Sequence, residues 1–118
     1  MIRRASEYKW NDAEEFFKGK GTIKILDILP PDDMKPNGRK FALFTLPPGT
    51  SLGYHVHKGD SETYYILTGR GLYSENGKMV EVSAGDMTFC PDGEGHSLEN
   101  ISDEPLTYIA LILYTLNK

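Results

Sequence analysis

Turn-forming residues recur so closely along this chain that no long helix fits between them. Pro30-Pro31, Pro36-Asn37-Gly38, Pro47-Pro48-Gly49, Gly59, Gly69, Asn76-Gly77, Gly85-Asp86, the stretch Pro91 to Gly95, and Pro105 mark nearly regular breaks. Between them lie short runs rich in Ile, Val, Thr, Tyr and Phe, the residues that suit a pleated, half-buried surface. The expected strands are Thr22–Leu29, Lys40–Leu46, Leu52–His57, Thr63–Thr68, Leu72–Ser74, Lys78–Val82, Met87–Phe89, His96–Asn100 and Leu106–Leu116. Asn76-Gly77 between LYSE and KMVEV is a two-residue hairpin signal, because both residues tolerate positive φ. Many short strands with tight turns give an all-β sandwich or barrel.

Ahead of the barrel, Asn11 as an N-cap with Glu14 three residues later resembles a capping box. It predicts a short N-terminal helix within residues 1–20, with Phe16 and Phe17 closing onto the core. Residues 21–118 then form a single domain, long enough to bury a core without staples. Cys90 is the sole cysteine, so no internal disulfide is available and nothing points to an oxidising compartment. The longest apolar run, LTYIALILYTL, is too short to cross a bilayer, and no basic start with an apolar run marks a signal peptide. A formal charge of −4 offers no basic patch for nucleic acid. The expectation is a cytoplasmic domain with neither nucleic acid nor membrane as partner.

All three histidines fall in two short segments. His55 and His57 lie in GTSLGYHVHKGDSETYYILTG together with Glu62, and His96 lies in GDMTFCPDGEGHSLEN. Strand side chains alternate faces, so His55 and His57 point together and Val56 points away. Glu62 opens the following strand, with Tyr64, Ile66 and Thr68 on its face; an antiparallel pairing with the His55 strand would bring it to the same point. Leu98 and Asn100 share the face of His96. Three imidazoles and one carboxylate suit a divalent transition metal: Mn(II), Fe(II), Ni(II), Co(II) or Cu(II), with Zn(II) also compatible.

The spacing around these residues resembles the two motifs of the cupin superfamily. Gly49, His55, His57, Glu62 and Gly69 match the first, and Gly85, Pro91, Gly93, His96 and Asn100 match the second. The spacer from Arg70 to Ala84 has the short length of small single-domain members. The resemblance implies a jelly-roll barrel, also called a double-stranded β-helix, with His55, His57, Glu62 and His96 as metal ligands. Four protein ligands on an octahedral ion leave two positions open.

Around that site, Tyr64 is the candidate polar group beside the open positions, where its hydroxyl could orient a bound oxygen. Asn100 is expected to fix backbone, and Cys90 to be a buried thiol. Arg39, Lys40 and Arg70 could each hold a carboxylate or phosphate, although Arg70, in the turn Gly69-Arg70-Gly71, reads as a surface charge. No acid–base pair beyond the ligands stands out, which weakens a decarboxylase of the oxalate decarboxylase kind. The expected function is a metal-dependent enzyme on a small oxygen-rich molecule, of dioxygenase, decarboxylase or sugar isomerase and epimerase type. The alternative is a cupin that binds or senses a small sugar or carboxylate without turnover. A homodimer is expected, with TIKILDIL (residues 22–29) adding as an edge strand to a neighbour.

Overall fold

A computed structural model describes residues 1–115 of the chain. Its strands are β1 Asn11–Glu14, β2 Thr22–Asp27, β3 Gly38–Leu46, β4 Ser51–Val56, β5 Asp60–Thr68, β6 Arg70–Glu75, β7 Lys78–Ser83, β8 Met87–Cys90, β9 Gly95–Asn100 and β10 Leu106–Tyr114. One helical turn, α1 Pro31–Met34, joins β2 to β3. Every expected strand is present within a few residues at its ends. Leu116, placed at the end of the last one, lies outside the described residues.

Two antiparallel sheets face one another, in the orders β1-β2-β3-β10-β5-β8 and β4-β9-β6-β7. From β3 to β6 and again from β7 to β10 each strand switches to the other sheet, which is the jelly-roll arrangement. Alternation delivers Ile23, Phe44, Leu46, Tyr64, Ile66, Tyr108 and Ala110 from the first sheet and Leu52, Tyr73 and Leu98 from the second into one core. The Asn76-Gly77 turn closes β6 onto β7, with Glu75 opposite Lys78 and φ of +51° and +82° at the two turn residues. Among the described residues no helix is long and apolar enough to cross a membrane.

Four expectations change. The N-terminal helix is absent: Asn11–Glu14 is β1, laid along β2 with Asn11 opposite Ile25 and Glu14 opposite Thr22. Only three-residue 3-10 turns occur nearby, at Ala5–Glu7 and Phe16–Lys18. A helix of one or two turns is marginal by itself, whereas the same residues satisfy their backbone groups on a ready strand and set Ala13 against the core. In consequence β2 lies between β1 and β3, so TIKILDIL is no free edge for a neighbour.

The third change concerns the site. β4 and β5 are not partners: β4 pairs with β9 in one sheet, and β5 with β10 and β8 in the other. After β4 the chain crosses between sheets, tied down by His57 N–H donating to Glu94 O at 2.9 Å and Gly93 N–H donating to His57 O at 2.7 Å. Glu62 thus approaches the histidines across the barrel. Thr68 also leaves its expected face. The β5–β10 ladder skips Leu67, pairing Ile66 with Tyr108 and Thr68 with Thr107, and this bulge turns Thr68 to solvent.

A candidate metal centre at the mouth of the barrel

β4 and β9 bring His55 and His96 directly opposite each other. His57 follows one inward position later, and Val56 between them is exposed, as alternation requires. From the facing sheet Glu62 projects inward with Asp60 and Tyr64. The four side chains are buried, with 9% of His55, 3% of His57, 4% of Glu62 and 1% of His96 exposed. Their donor atoms all lie within 4.8 Å of one another. His96 Nε2 is 2.9 Å from His55 Nε2, 3.2 Å from His57 Nε2 and 3.0 Å from Glu62 Oε1. Glu62 Oε1 is 3.0 Å from His57 Nε2 and 3.7 Å from His55 Nε2.

The far side of each ring decides what this cluster can hold. His55 Nδ1 donates to Gly53 O at 2.9 Å and His57 Nδ1 donates to Asp60 Oδ1 at 2.7 Å. Neither oxygen can donate back, so in the neutral rings the proton sits on Nδ1 and Nε2 carries a bare lone pair. His96 Nδ1 lies 2.9 Å from the Tyr73 hydroxyl. The His55 and His57 lone pairs and a carboxylate aimed at one point repel each other unless a cation lies between them. A first-row divalent ion binds imidazole at about 2.1 Å, so donors at right angles sit about 3 Å apart, which is the spacing of His96 Nε2 from the other three donors. Outer hydrogen bonds that fix the tautomer are the usual accompaniment of histidine–metal sites. The residues fit a divalent transition metal.

The same contacts set the ionisation of the cluster. Burial alone would push the Glu62 carboxyl up, but its contacts with His55, His57 and His96 outweigh this and hold it well below the usual carboxylate range. Glu62 raises His57, against the opposing effect of burial and with help from Asp60, while burial lowers His96. Cys90, opposite Glu62 on β8, is pushed by burial up to about 11 and stays a thiol. Tyr64, fully buried, is held well above its ordinary value chiefly by burial and is a neutral phenol; its ring stacks on His96 and its hydroxyl lies 3.4 Å from His96 Nε2.

The sequence model of the cupin domain matches residues 42–112. The chain belongs to the cupin family. An oxalate-binding protein of Thermotoga maritima is 40% identical over 113 residues, covering 96% of this cupin and 93% of the relative. The crystal structure of a protein from Thermotoga maritima, described as a predicted oxalate decarboxylase, superposes with a TM-score of 0.93 at 39% identity, over 98% of this chain and 100% of the other. Oxalate decarboxylase OxdC of Bacillus subtilis is 32% identical over 75 residues, which is 59% of this cupin but 20% of that protein.

The family motifs have a local physical basis in this cupin. Gly49, Gly69, Gly85 and Gly93 all adopt φ between +79° and +91°, where a β-carbon is strained. Asn100 fixes backbone as expected: its amide donates to Leu46 O and Glu104 O, and its oxygen accepts from Ser102. Arg70 pairs on the surface with Glu81.

A small cavity of about 50 Å³ opens beside the donors, and Phe16, Phe17, Arg39, Lys40, Phe44, Leu52 and Ile112 line it with His55, His57 and Glu62. Tyr64 is not among its walls. Phe17 stacks on His55 with ring centroids 4.1 Å apart. Sequence reasoning expected Phe16 and Phe17 to pack inward but not to roof the site. It missed Asp60 and Tyr73 altogether, since neither residue type carries a spacing signal for holding an imidazole.

Proposed function

We propose that this cupin holds one divalent transition metal on His55, His57, Glu62 and His96 and uses it to capture a small carboxylate, with oxalate the foremost candidate. The observation that carries this reading is the cavity beside the donors. At about 50 Å³ it has room for only a few water-sized groups, which suits a two-carbon acid and is small for a sugar. When bound, the metal supplies a Lewis-acid centre with open positions for carboxylate oxygens. Phe16, Phe17, Phe44, Leu52 and Ile112 keep bulk water from the cavity, so charges inside it interact strongly. The Thermotoga maritima relative named for oxalate binding spans nearly the whole chain and supports the same ligand.

Capture is favoured over turnover because among the described residues the cavity wall contains no carboxylic acid other than the ligand Glu62, and Lys40 is held by Asp27 at 3.0 Å. A second reading, decarboxylation or dioxygenation of the bound acid, has one observation in its favour. The Tyr64 hydroxyl, though outside the cavity wall, is a neutral proton-bearing group 3.4 Å from the donor atom His96 Nε2. Calorimetric titration of oxalate and other short carboxylates into metal-loaded protein tests the first reading; absence of binding for every acid and metal overturns it. Carbon dioxide release and oxygen consumption test the second. If turnover exists, Tyr64→Phe is expected to lower it while leaving oxalate affinity within a few-fold of wild type.

A further inference from the structure

Arg39 occupies a place that regular strand pairing would not give it. Along β3 and β10, Ile112 faces Lys40 and Leu113 faces Gly38, so Arg39 is an extra residue in the ladder. A bulge of this kind bends the strand and re-aims a side chain that alternation would send to the outer face. Arg39 and its neighbour Lys40 consequently both line the metal cavity.

The two cations differ in what they have left to offer. Lys40 Nζ lies 3.0 Å from Asp27 Oδ1, its charge balanced on the spot. Arg39 Nε donates to Asp60 Oδ2 at 2.8 Å, and the other oxygen of Asp60 accepts from His57 Nδ1 at 2.7 Å. That bond anchors the guanidinium at its Nε edge. The group carries five N–H donors in a rigid fork, and among the described residues only Nε has a hydrogen-bond partner. The side chain is 44% exposed and borders the cavity, while the carboxylate it pairs with is 6% exposed.

The charge balance points the same way. Asp60 offsets Arg39 and Asp27 offsets Lys40, while Glu62 offsets half of a divalent ion, leaving the loaded cavity positive by about one charge. Such a cavity selects anions, and a planar fork selects carboxylates among them through two parallel N–H···O bonds.

We infer that the Nη edge of Arg39 is the anion-recognition arm of this cavity, gripping the outer oxygens of a small dicarboxylate whose inner oxygens face the His55, His57, Glu62 and His96 donors. The inference rests on the proposed carboxylate capture and adds to it the residue that discriminates a dicarboxylate from any simple metal ligand. Arg39 would otherwise be only a positioning residue, acting through Asp60 on His57, and the two roles make different predictions.

The test uses cobalt-loaded wild type, Arg39→Gln and Arg39→Lys, with metal content measured in each and the visible bands of Co(II) followed during titration. Oxalate offers a second carboxylate to Arg39, whereas azide can occupy the metal alone. Arg39→Gln is expected to bind cobalt in full and to lose at least about ten-fold in oxalate affinity, equivalent to one lost charge-assisted contact. Azide affinity should stay within about three-fold, as befits the loss of one partly exposed charge. Arg39→Lys keeps the charge without the fork and should recover only part of the loss. Equal losses for oxalate and azide, cobalt missing from both variants, or unchanged oxalate affinity in Arg39→Gln would each overturn the inference. A wild-type protein that responds to azide but not to oxalate would instead overturn the carboxylate reading on which it rests.

Discussion

At the scale of single residues, the site is a set of lone pairs held in place from behind. His57 shows this most fully, since Asp60 accepts from its Nδ1 and is itself gripped by Arg39. Asp60→Asn would exchange an acceptor-only carboxylate for an amide able to present N–H groups to the imidazole. Metal affinity is then expected to fall 10- to 100-fold, the usual effect of losing such an outer partner, measured by competition with a chromogenic chelator; unchanged affinity would show that Asp60 does not set the tautomer. The four donors were legible because alternation and glycine offsets mark them. Asp60 was not, since an acidic residue in the turn Lys58-Gly59-Asp60-Ser61 ordinarily faces water. Its role exists only because Arg39 arrives from a strand 21 residues earlier in the chain.

At the scale of elements, bulges and a strap shape the mouth. The β4 ladder carries one extra residue between Leu52 and His55, across from Ser97 on β9. There the backbone of β4 meets the N-terminal strap so closely that a β-carbon on Gly53 would lie 1.8 Å from Phe17 O. Phe17 itself sits at φ +52° with its ring over His55. Gly53→Ala must push the strap away, so a loss of roughly 1–3 kcal/mol is expected, as for other overpacked sites. Thermal unfolding would report it, and faster metal loss to a chelator would report the opened roof. A variant as stable and as slow to release metal as wild type would refute the strap's part in closing the site. Strand existence was legible from turn spacing, while strand partnership was not. Short apolar runs carry no address, and the hairpin assumption for β4 and β5 failed because the chain crosses to the opposite sheet between them. The N-terminal segment misled for a related reason: Asn11 and Glu14 satisfy a capping pattern, but the exposed side of β2 offered their backbone more hydrogen bonds than one helical turn could.

At the scale of the whole molecule, the metal would tie the two sheets together, because His55, His57 and His96 come from one side of the barrel and Glu62 from the other. Binding to the folded chain alone stabilises it by mass action, about 2.7 kcal/mol when free metal is 100 times its Kd. For a chain of this size that corresponds to a rise in melting temperature of roughly 10 °C. Scanning calorimetry with and without a chelator checks this, and identical melting would deny the link. The proposed homodimer now looks to a different surface, because β1 covers β2. Tyr65, Met87 and Phe89 leave an exposed apolar stretch on the outer face of β5 and β8, and sedimentation at micromolar concentration is expected to return the mass of two chains, with a monomer refuting it. Carboxylate capture, Arg39 recognition and metal-linked stability all depend on one centre. Elemental analysis of purified wild type beside His55→Ala tests that centre most directly: one equivalent of a divalent transition metal per chain in the wild type and a large loss in the variant is the predicted result, and equal metal content in both would contradict it.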